Sequence, residues 1–165
     1  MIYDEKFILA TISRIKIALK NFSNRLDIRI GLVVAAERIN NWKIEGEQLV
    51  NILKVSVEID NKWTWGTISS IEGDPKTFML DTVQNKLNAL FNAEDEKADL
   101  SFISTSEALI KYYPKNIYGY SNLGVIYLAK KDYDKAKKYL QKALEIDGKD
   151  EVVLGNLKML ENQKK

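Results

Sequence analysis

Two arginines four residues apart, Arg25 and Arg29, are the side chains of this sequence best suited to bind a charged ligand. Residues at this spacing share one face of a helix, so both guanidinium groups can point toward the same surface. Arginine binds carboxylates through paired hydrogen bonds, which favours an acidic peptide or a chain terminus as the ligand. The competing interpretation is a surface ion pair with a nearby acid such as Asp27.

Two acidic clusters are the other candidates for chemistry, because paired carboxylates can catalyse acid–base steps or hold a divalent cation. Neither cluster has the spacing of a calcium-binding loop, and both lie in predicted turns, where a solvated helix end explains them better. The chain has no cysteine and no histidine, which excludes thiolate chemistry and the commonest general base. We therefore predict no enzymatic activity, no metal site and no cofactor. The clusters are Glu94, Asp95 and Glu96, and Asp147, Asp150 and Glu151.

Charge and hydropathy narrow the class of protein further. The 165 residues carry a formal net charge of +2, which gives no reason to expect strong binding to nucleic acid. No apolar run approaches the length of a membrane span, and Arg14 and Lys16 interrupt the N-terminal apolar stretch, unlike in a signal peptide. The sequence thus predicts a soluble protein, cytoplasmic by default.

The stretch from Ile117 to Asp150 contains the clearest structural pattern. Apolar residues recur at helical spacing before and after a polar turn, in which Asp132 can cap the second helix. Inside a helix, a glycine costs about 1 kcal/mol relative to alanine. Gly124 therefore indicates that the two helices approach each other closely, with Ala136 on the opposite side of the crossing. The pattern predicts an antiparallel helical hairpin.

This stretch resembles a tetratricopeptide repeat, a helix–turn–helix unit of 34 residues. Gly148 stands where the family has the proline that ends the second helix, which predicts a looser corner. The resemblance implies an all-α fold, in which antiparallel helical hairpins stack as a short α–α superhelix. The residues that fit the family spacing are Leu123, Gly124, Tyr127, Ala136 and Ala143, with Tyr120 at a position where the family prefers tryptophan.

Weaker copies of the hairpin are predicted before this stretch. Residues 1–60 look like a degenerate helical hairpin region, with Gly31 in the place of the family glycine and extra residues around Trp42. Residues 76–165 are predicted to form a repeat-like array, which ends in a polar-backed closing helix from Glu151 to Gln163. We expect these regions to form one continuous domain.

Residues 61–75 connect the two regions and do not fit the helical pattern. Glycines and a proline punctuate this connection, and Trp63 and Trp65 are β-prone, so a short extended segment is expected. One interpretation is that both tryptophans lie back on the helices and cover apolar surface. The other is that they form an aromatic lip at a binding groove, because tryptophan is enriched at interface hot spots.

The resemblance also implies a binding site, since the first helix of each pair lines the concave groove of the family. In the clear repeat, the groove positions are Tyr118, Ser121, Asn122 and Val125. Asn122 matches an asparagine with which family members hold a peptide backbone or a carboxylate.

The groove positions of the other two hairpins carry basic and amide side chains. With Gly31 as reference, the N-terminal hairpin contributes Arg25 and Arg29, and the middle hairpin contributes Asn85 and Lys86. The groove is therefore expected to be polar and mildly basic. The implied function is a non-catalytic scaffold that binds a peptide or protein segment, with an acidic or carboxylate-terminated segment favoured.

An alternative role remains open at this point. The apolar N-terminal and C-terminal helices also fit a regulatory or structural subunit that docks through its end helices onto more of its own chain or onto a second copy. That alternative predicts a homo-oligomer in solution.

Overall fold

The computed structural model describes residues 5–66, 69–71 and 73–162. Within them lie eight α-helices and one pair of two-residue strands, which confirms the predicted all-α class. The chain divides after Ser101 into two compact units, and the division falls inside the fifth helix. Gln163, the predicted last residue of the closing helix, lies outside the described residues. The helices are α1 (Glu5–Ala18), α2 (Leu26–Glu37), α3 (Trp42–Glu58), α4 (Pro75–Phe91), α5 (Glu96–Tyr112), α6 (Ile117–Ala129), α7 (Tyr133–Ile146) and α8 (Glu151–Asn162).

In the first unit, α1 packs on α2 through one apolar face. Ile8 and Ile12 are buried in one cluster with Leu19 and Leu32, as their helical spacing requires. The opposite face of α1 stays open to solvent, where Phe7 is 67% exposed and Ile17 is 64% exposed. The apolar content of α1 thus exceeds what its own unit buries.

Helices α2 and α3 form the hairpin that was predicted for residues 1–60. Asn40 takes a left-handed conformation with φ of 51°, and the Asn41 side chain accepts a hydrogen bond from the backbone of Ile44. Trp42, around which extra residues were predicted, is the first residue of α3. Gly31 lies on the exposed face of α2, where an added Cβ would meet no atom within 4 Å. It was predicted to stand in place of the family glycine, but no helix crosses closely at this position.

The close approach in this unit occurs instead at Gly46 on α3. A Cβ at Gly46 would lie 2.6 Å from both Cβ and Oγ of Ser101, at the start of α5. The Ser101 hydroxyl donates a hydrogen bond of 2.7 Å to the carbonyl oxygen of Trp42. Two small residues therefore let α3 and α5 touch backbone to backbone, as glycine does at tight contacts.

The segment between α3 and α4 contains the extended structure that was predicted for residues 61–75. Strand β1 (Thr64–Trp65) pairs antiparallel with β2 (Ser69–Ser70), and Thr64 also bridges to Arg25. Asp74 then caps α4 by accepting hydrogen bonds from the backbone of Lys76 and Thr77. The segment is thus tied to the N-terminal end of α2.

In the second unit, α6 and α7 form the predicted hairpin. Asp132 caps α7 by accepting a hydrogen bond from the backbone of Lys135 (3.2 Å), as its position in the turn predicted. A Cβ at Gly124 would lie 2.6 Å from Cγ and Cδ2 of Leu140, so the expected close approach is present. The side chain in contact is Leu140, one turn beyond the predicted Ala136.

Helix α8 closes the second unit with its inner face only. Val153 and Leu160 are buried, and Val153 packs against Leu140 and Ala143 of α7. The predicted polar backing is present, since Lys158, Glu161 and Asn162 are exposed, but Val152 is also 63% exposed and Met159 is 55% exposed. These two residues are seven apart, so they lie on one side of α8.

Candidate functional site

The four positions predicted in the clear repeat lie on one face of α6, which we call the α6 stripe (Tyr118, Ser121, Asn122 and Val125). Their spacing of three, four and seven residues places them within a narrow sector of the helix. Asn116 caps this end of α6 by accepting a hydrogen bond of 2.8 Å from the backbone of Tyr118. The cap fixes where the stripe begins.

The α6 stripe lies between the two close approaches that α6 makes in the second unit. Gly119 approaches α5, where an added Cβ would lie 2.9 Å from the carbonyl oxygen of Ser106, and Gly124 approaches α7. At 100° per residue, Leu123 and Tyr127 lie on the side opposite the stripe. Three members of the stripe are half-buried, and Asn122 is 8% exposed. The stripe therefore combines one buried amide, that of Asn122, with three partly accessible side chains.

Arg25 precedes α2 and forms a two-pronged ion pair with Asp27. Its Nε donates to Oδ1 at 2.8 Å, and its terminal nitrogen donates to Oδ2 at 2.6 Å. The same Oδ2 accepts a hydrogen bond from the backbone of Gly66. The Arg25 hydrogen bond lowers the pKa of Asp27 below its usual range, and the Gly66 bond adds to that effect. The pair anchors the β1 segment to α2.

Arg29 is buried, with 6% of its surface exposed. Its Nε donates a hydrogen bond of 2.9 Å to the carbonyl oxygen of Ser23, and its guanidinium carbon lies 6.0 Å from the ring centre of Trp63. Burial lowers the pKa of Arg29, and the charge of Glu58 opposes that shift. Their spacing predicted a matched pair of free guanidinium groups. That prediction is wrong, because one arginine is paired with Asp27 and the other is buried.

The two tryptophans of the connection have different environments. Trp63 is 2% exposed, and no described residue accepts a hydrogen bond from its indole nitrogen. Trp65 is 39% exposed and meets the edge of Phe78, with 5.6 Å between ring centres. The interpretation that the tryptophans cover the helices holds for Trp63, whereas Trp65 keeps a face in solvent.

The predicted pair on α4 is also divided. Asn85 is exposed, but the Lys86 ammonium lies 2.6 Å from a carboxylate oxygen of Glu37, which ties α4 to α2. Glu45 lies near this ion pair, is fully buried, and has no hydrogen-bond partner for either carboxylate oxygen. Burial, with a smaller contribution from the charge of Glu37, raises the pKa of Glu45 to about 7.

The sequence analysis did not single out Glu45, although a signal for it existed. Glu45 is four and seven residues before Leu49 and Ile52, so it belongs to the same inward stripe of α3. A carboxyl group on an apolar helix face predicts either a buried partner or an unusual pKa.

Acidic clusters can bind a metal ion and apolar helices can cross a membrane, but neither arrangement is found in the described part of the chain. No group of three or more acidic side chains there is arranged to hold a metal ion. None of the helices in those residues combines the length and the apolarity that crossing a bilayer requires.

Comparison with known proteins gives one match. Residues 117–150, which hold α6 and α7, match the family model for the tetratricopeptide repeat. No curated protein and no solved structure matches the chain.

Proposed function

Because residues 117–150 are a tetratricopeptide repeat, we propose that the chain is a non-catalytic scaffold that binds a peptide or protein segment along the α6 stripe. One observation carries the proposal. The hairpin closes through Gly124 and Leu140, and Tyr118, Ser121 and Val125 of the stripe remain only half-buried beside that contact. Side chains that the chain leaves partly exposed are available to a ligand.

The side chains of the α6 stripe suit an extended peptide. Asn122 has an amide that can both donate and accept; it is 8% exposed and already held by an interaction within the chain, so ordering it costs little conformational entropy. Tyr118 adds a large contact surface with a polar end, and Val125 adds an apolar one. The stripe contains no charged side chain, so it gives this part of the ligand no charge requirement.

In the first unit, only the exposed residues among the predicted positions are able to contact a ligand. Trp65 and Asn85 have surface for a ligand. Arg25 and Lys86 already hold carboxylates of their own chain. Arg29 forms no ion pair with the described residues, but it is 6% exposed, so a preference for an acidic or carboxylate-terminated partner would require the ligand to reach a buried side chain.

The proposal is tested with peptides selected by display against the full chain. Ser121→Arg places a large side chain in the middle of the stripe. We expect it to lower the affinity for the selected peptides by about tenfold or more, the scale of a lost hot spot. Gln141→Arg adds the same side chain at an exposed position of α7 and serves as the control. Equal affinities for both variants and the unmodified chain would place the binding surface elsewhere.

A second candidate function rests on the exposed apolar residues of the two end helices. Phe7 and Ile17 on α1, and Val152 and Met159 on α8, are each more than half exposed. Such residues favour the alternative of a subunit that self-associates through its end helices. Light scattering decides between the two: an obligate dimer that Val152→Glu and Met159→Glu convert to monomer supports self-association, and a monomer that binds peptide supports the scaffold.

A further inference from the structure

A cleft of about 420 Å³ opens in the first unit between the end of α1, α2 and α3. This volume lies within the range of pockets that hold small molecules. The lining is polar apart from Leu19, and it includes two side chains that are at least nine-tenths buried, Arg29 and Gln48. We call it the α1–α3 cleft; its lining residues are Lys16, Leu19, Lys20, Arg29, Glu47, Gln48 and Asn51.

Arg29 is the unusual member of this lining. Within the described residues it forms no ion pair, and its one side-chain hydrogen bond uses Nε. The terminal nitrogens of the guanidinium group are therefore left to the cleft. A buried cation that forms no ion pair is costly, and a bound anion reduces that cost.

Two further cations line the cleft with Arg29. Lys16 and Lys20 stand four residues apart at the end of α1, are exposed, and pair with no acid among the residues that the structure describes. Glu47 is the one acidic residue in the lining, so the cleft has an excess of two positive charges. Positive charges that line one concave surface raise the local concentration of anions.

We propose that the α1–α3 cleft binds the phosphate group of a small organic molecule, with Arg29 as its buried counter-ion. A phosphate monoester carries a charge of about −1.5 to −2 at pH 7 and offers three strong acceptor oxygens, which match the excess charge of the cleft. The donors available are the terminal nitrogens of Arg29, the two ammonium groups, and the amides of Gln48 and Asn51. Arginine binds phosphate through two parallel hydrogen bonds, and Arg29 keeps its terminal pair of nitrogens for that purpose.

This site is distinct from the α6 stripe and is tested independently of it. Isothermal titration of the full chain with phenyl phosphate at pH 7.5 and constant ionic strength measures the affinity. We expect Lys16→Gln and Lys20→Gln each to weaken binding by about fivefold, the upper end for an exposed ion pair. Lys43→Gln removes a charge from an exposed position of α3 outside the cleft, and it is expected to leave affinity unchanged.

Two further arms test the buried cation and the chemistry of the ligand. Arg29→Lys keeps the positive charge and removes the paired donors of the guanidinium group. The affinity for phenyl phosphate should therefore fall more than in either lysine variant. Lowering the pH from 7.5 to 5.5 should weaken binding, because the monoester dianion takes up a proton near pH 6.

Several results would overturn the proposal. They are an absence of binding, an equal loss in Lys43→Gln, succinate binding as tightly as phenyl phosphate, or hexaglutamate binding more tightly than either. The last two would assign the cleft to carboxylates of a small molecule or of a protein. Because the lysine variants lie at the exposed rim, the test remains decisive even if Arg29→Lys does not fold.

Discussion

Gly124 and Leu140 are in direct contact across the α6–α7 hairpin, with only 2.6 Å between the leucine side chain and the point where a Cβ of residue 124 would lie. We expect Gly124→Leu to destabilise the chain by about 1–3 kcal/mol, because the extra atoms force Leu140 and its neighbours apart. Thermal unfolding followed by circular dichroism measures the effect. Gly155→Ala in α8 is the matched control. An added Cβ there meets no atom within 4 Å, so a gain of up to about 1 kcal/mol is expected.

The contact between Gly46 and Ser101 makes a similar prediction for the first unit. Gly46→Ala places a methyl group 2.6 Å from the serine side chain and should cost about 1–3 kcal/mol. Adding Ser101→Gly should recover part of that loss, since the two substitutions act on the same contact. Gly31→Ala, on the open face of α2, should not destabilise. A loss that is the same with and without Ser101→Gly would contradict the packing described here.

Glu45 predicts a stability that falls as pH rises. Its ordinary pKa of 4.5 applies to the unfolded chain, and burial raises the pKa to about 7 in the folded chain. Well below pH 4.5 the carboxyl is protonated in both the folded and the unfolded state, so it does not make the free energy of unfolding depend on pH. Between 4.5 and about 7 the unfolded state ionises first, so the free energy of unfolding decreases, by about 3 kcal/mol in total, and then levels off.

Chemical denaturation across this pH range checks the prediction with two variants. Glu45→Gln should remove the decrease, because glutamine does not titrate. Glu161→Gln, at an exposed position of α8, should retain it. If Glu45→Gln shows the same pH dependence as the unmodified chain, folding does not raise the pKa of Glu45.

Arg29→Glu is expected to lower the melting temperature by several degrees. If Arg29 lay in an exposed groove, as the sequence predicted, this substitution would leave the melting temperature nearly unchanged and weaken partner binding. Its burial against Ser23 and Trp63 changes the expectation: a carboxylate there loses both contacts and gains repulsion from Glu58, at a cost of about 2–4 kcal/mol.

The control for this substitution is Arg14→Glu, at an exposed position of α1. It makes the same change of charge without burying a carboxylate, so its effect on stability should stay within about 0.5 kcal/mol. Equal melting temperatures for the two variants would mean that Arg29 is not buried in solution.

Local signals made the second unit predictable from the sequence. Asp132 caps α7, and α5 ends at Tyr112, two residues before Pro114, because caps and prolines act on their own helix. The α6 stripe followed in the same way from spacing along one helix. Its role in binding remains a prediction.

The sequence was a weaker guide where a residue depends on a distant neighbour. Gly31 and Gly46 both stand inside helices, and only the packing of Ser101, far along the chain, makes Gly46 the close contact. In the same way, Arg29 meets Trp63 through a turn whose path the helical pattern did not predict. Periodicity identifies which face of a helix is apolar, but not which partner covers it.

The contact between Arg29 and Trp63 also gives this chain an optical probe of its own. Indole emission depends on the charges and water around the ring, and Trp63 lies 6.0 Å from a guanidinium group that lines the α1–α3 cleft. Trp65, by contrast, emits from a partly solvated site. A variant in which Trp42 and Trp65 are phenylalanine would retain the emission of Trp63 alone, and neutralisation of the Arg29 charge by an anion would shift its wavelength. Occupancy of the cleft could thus be followed without any attached dye.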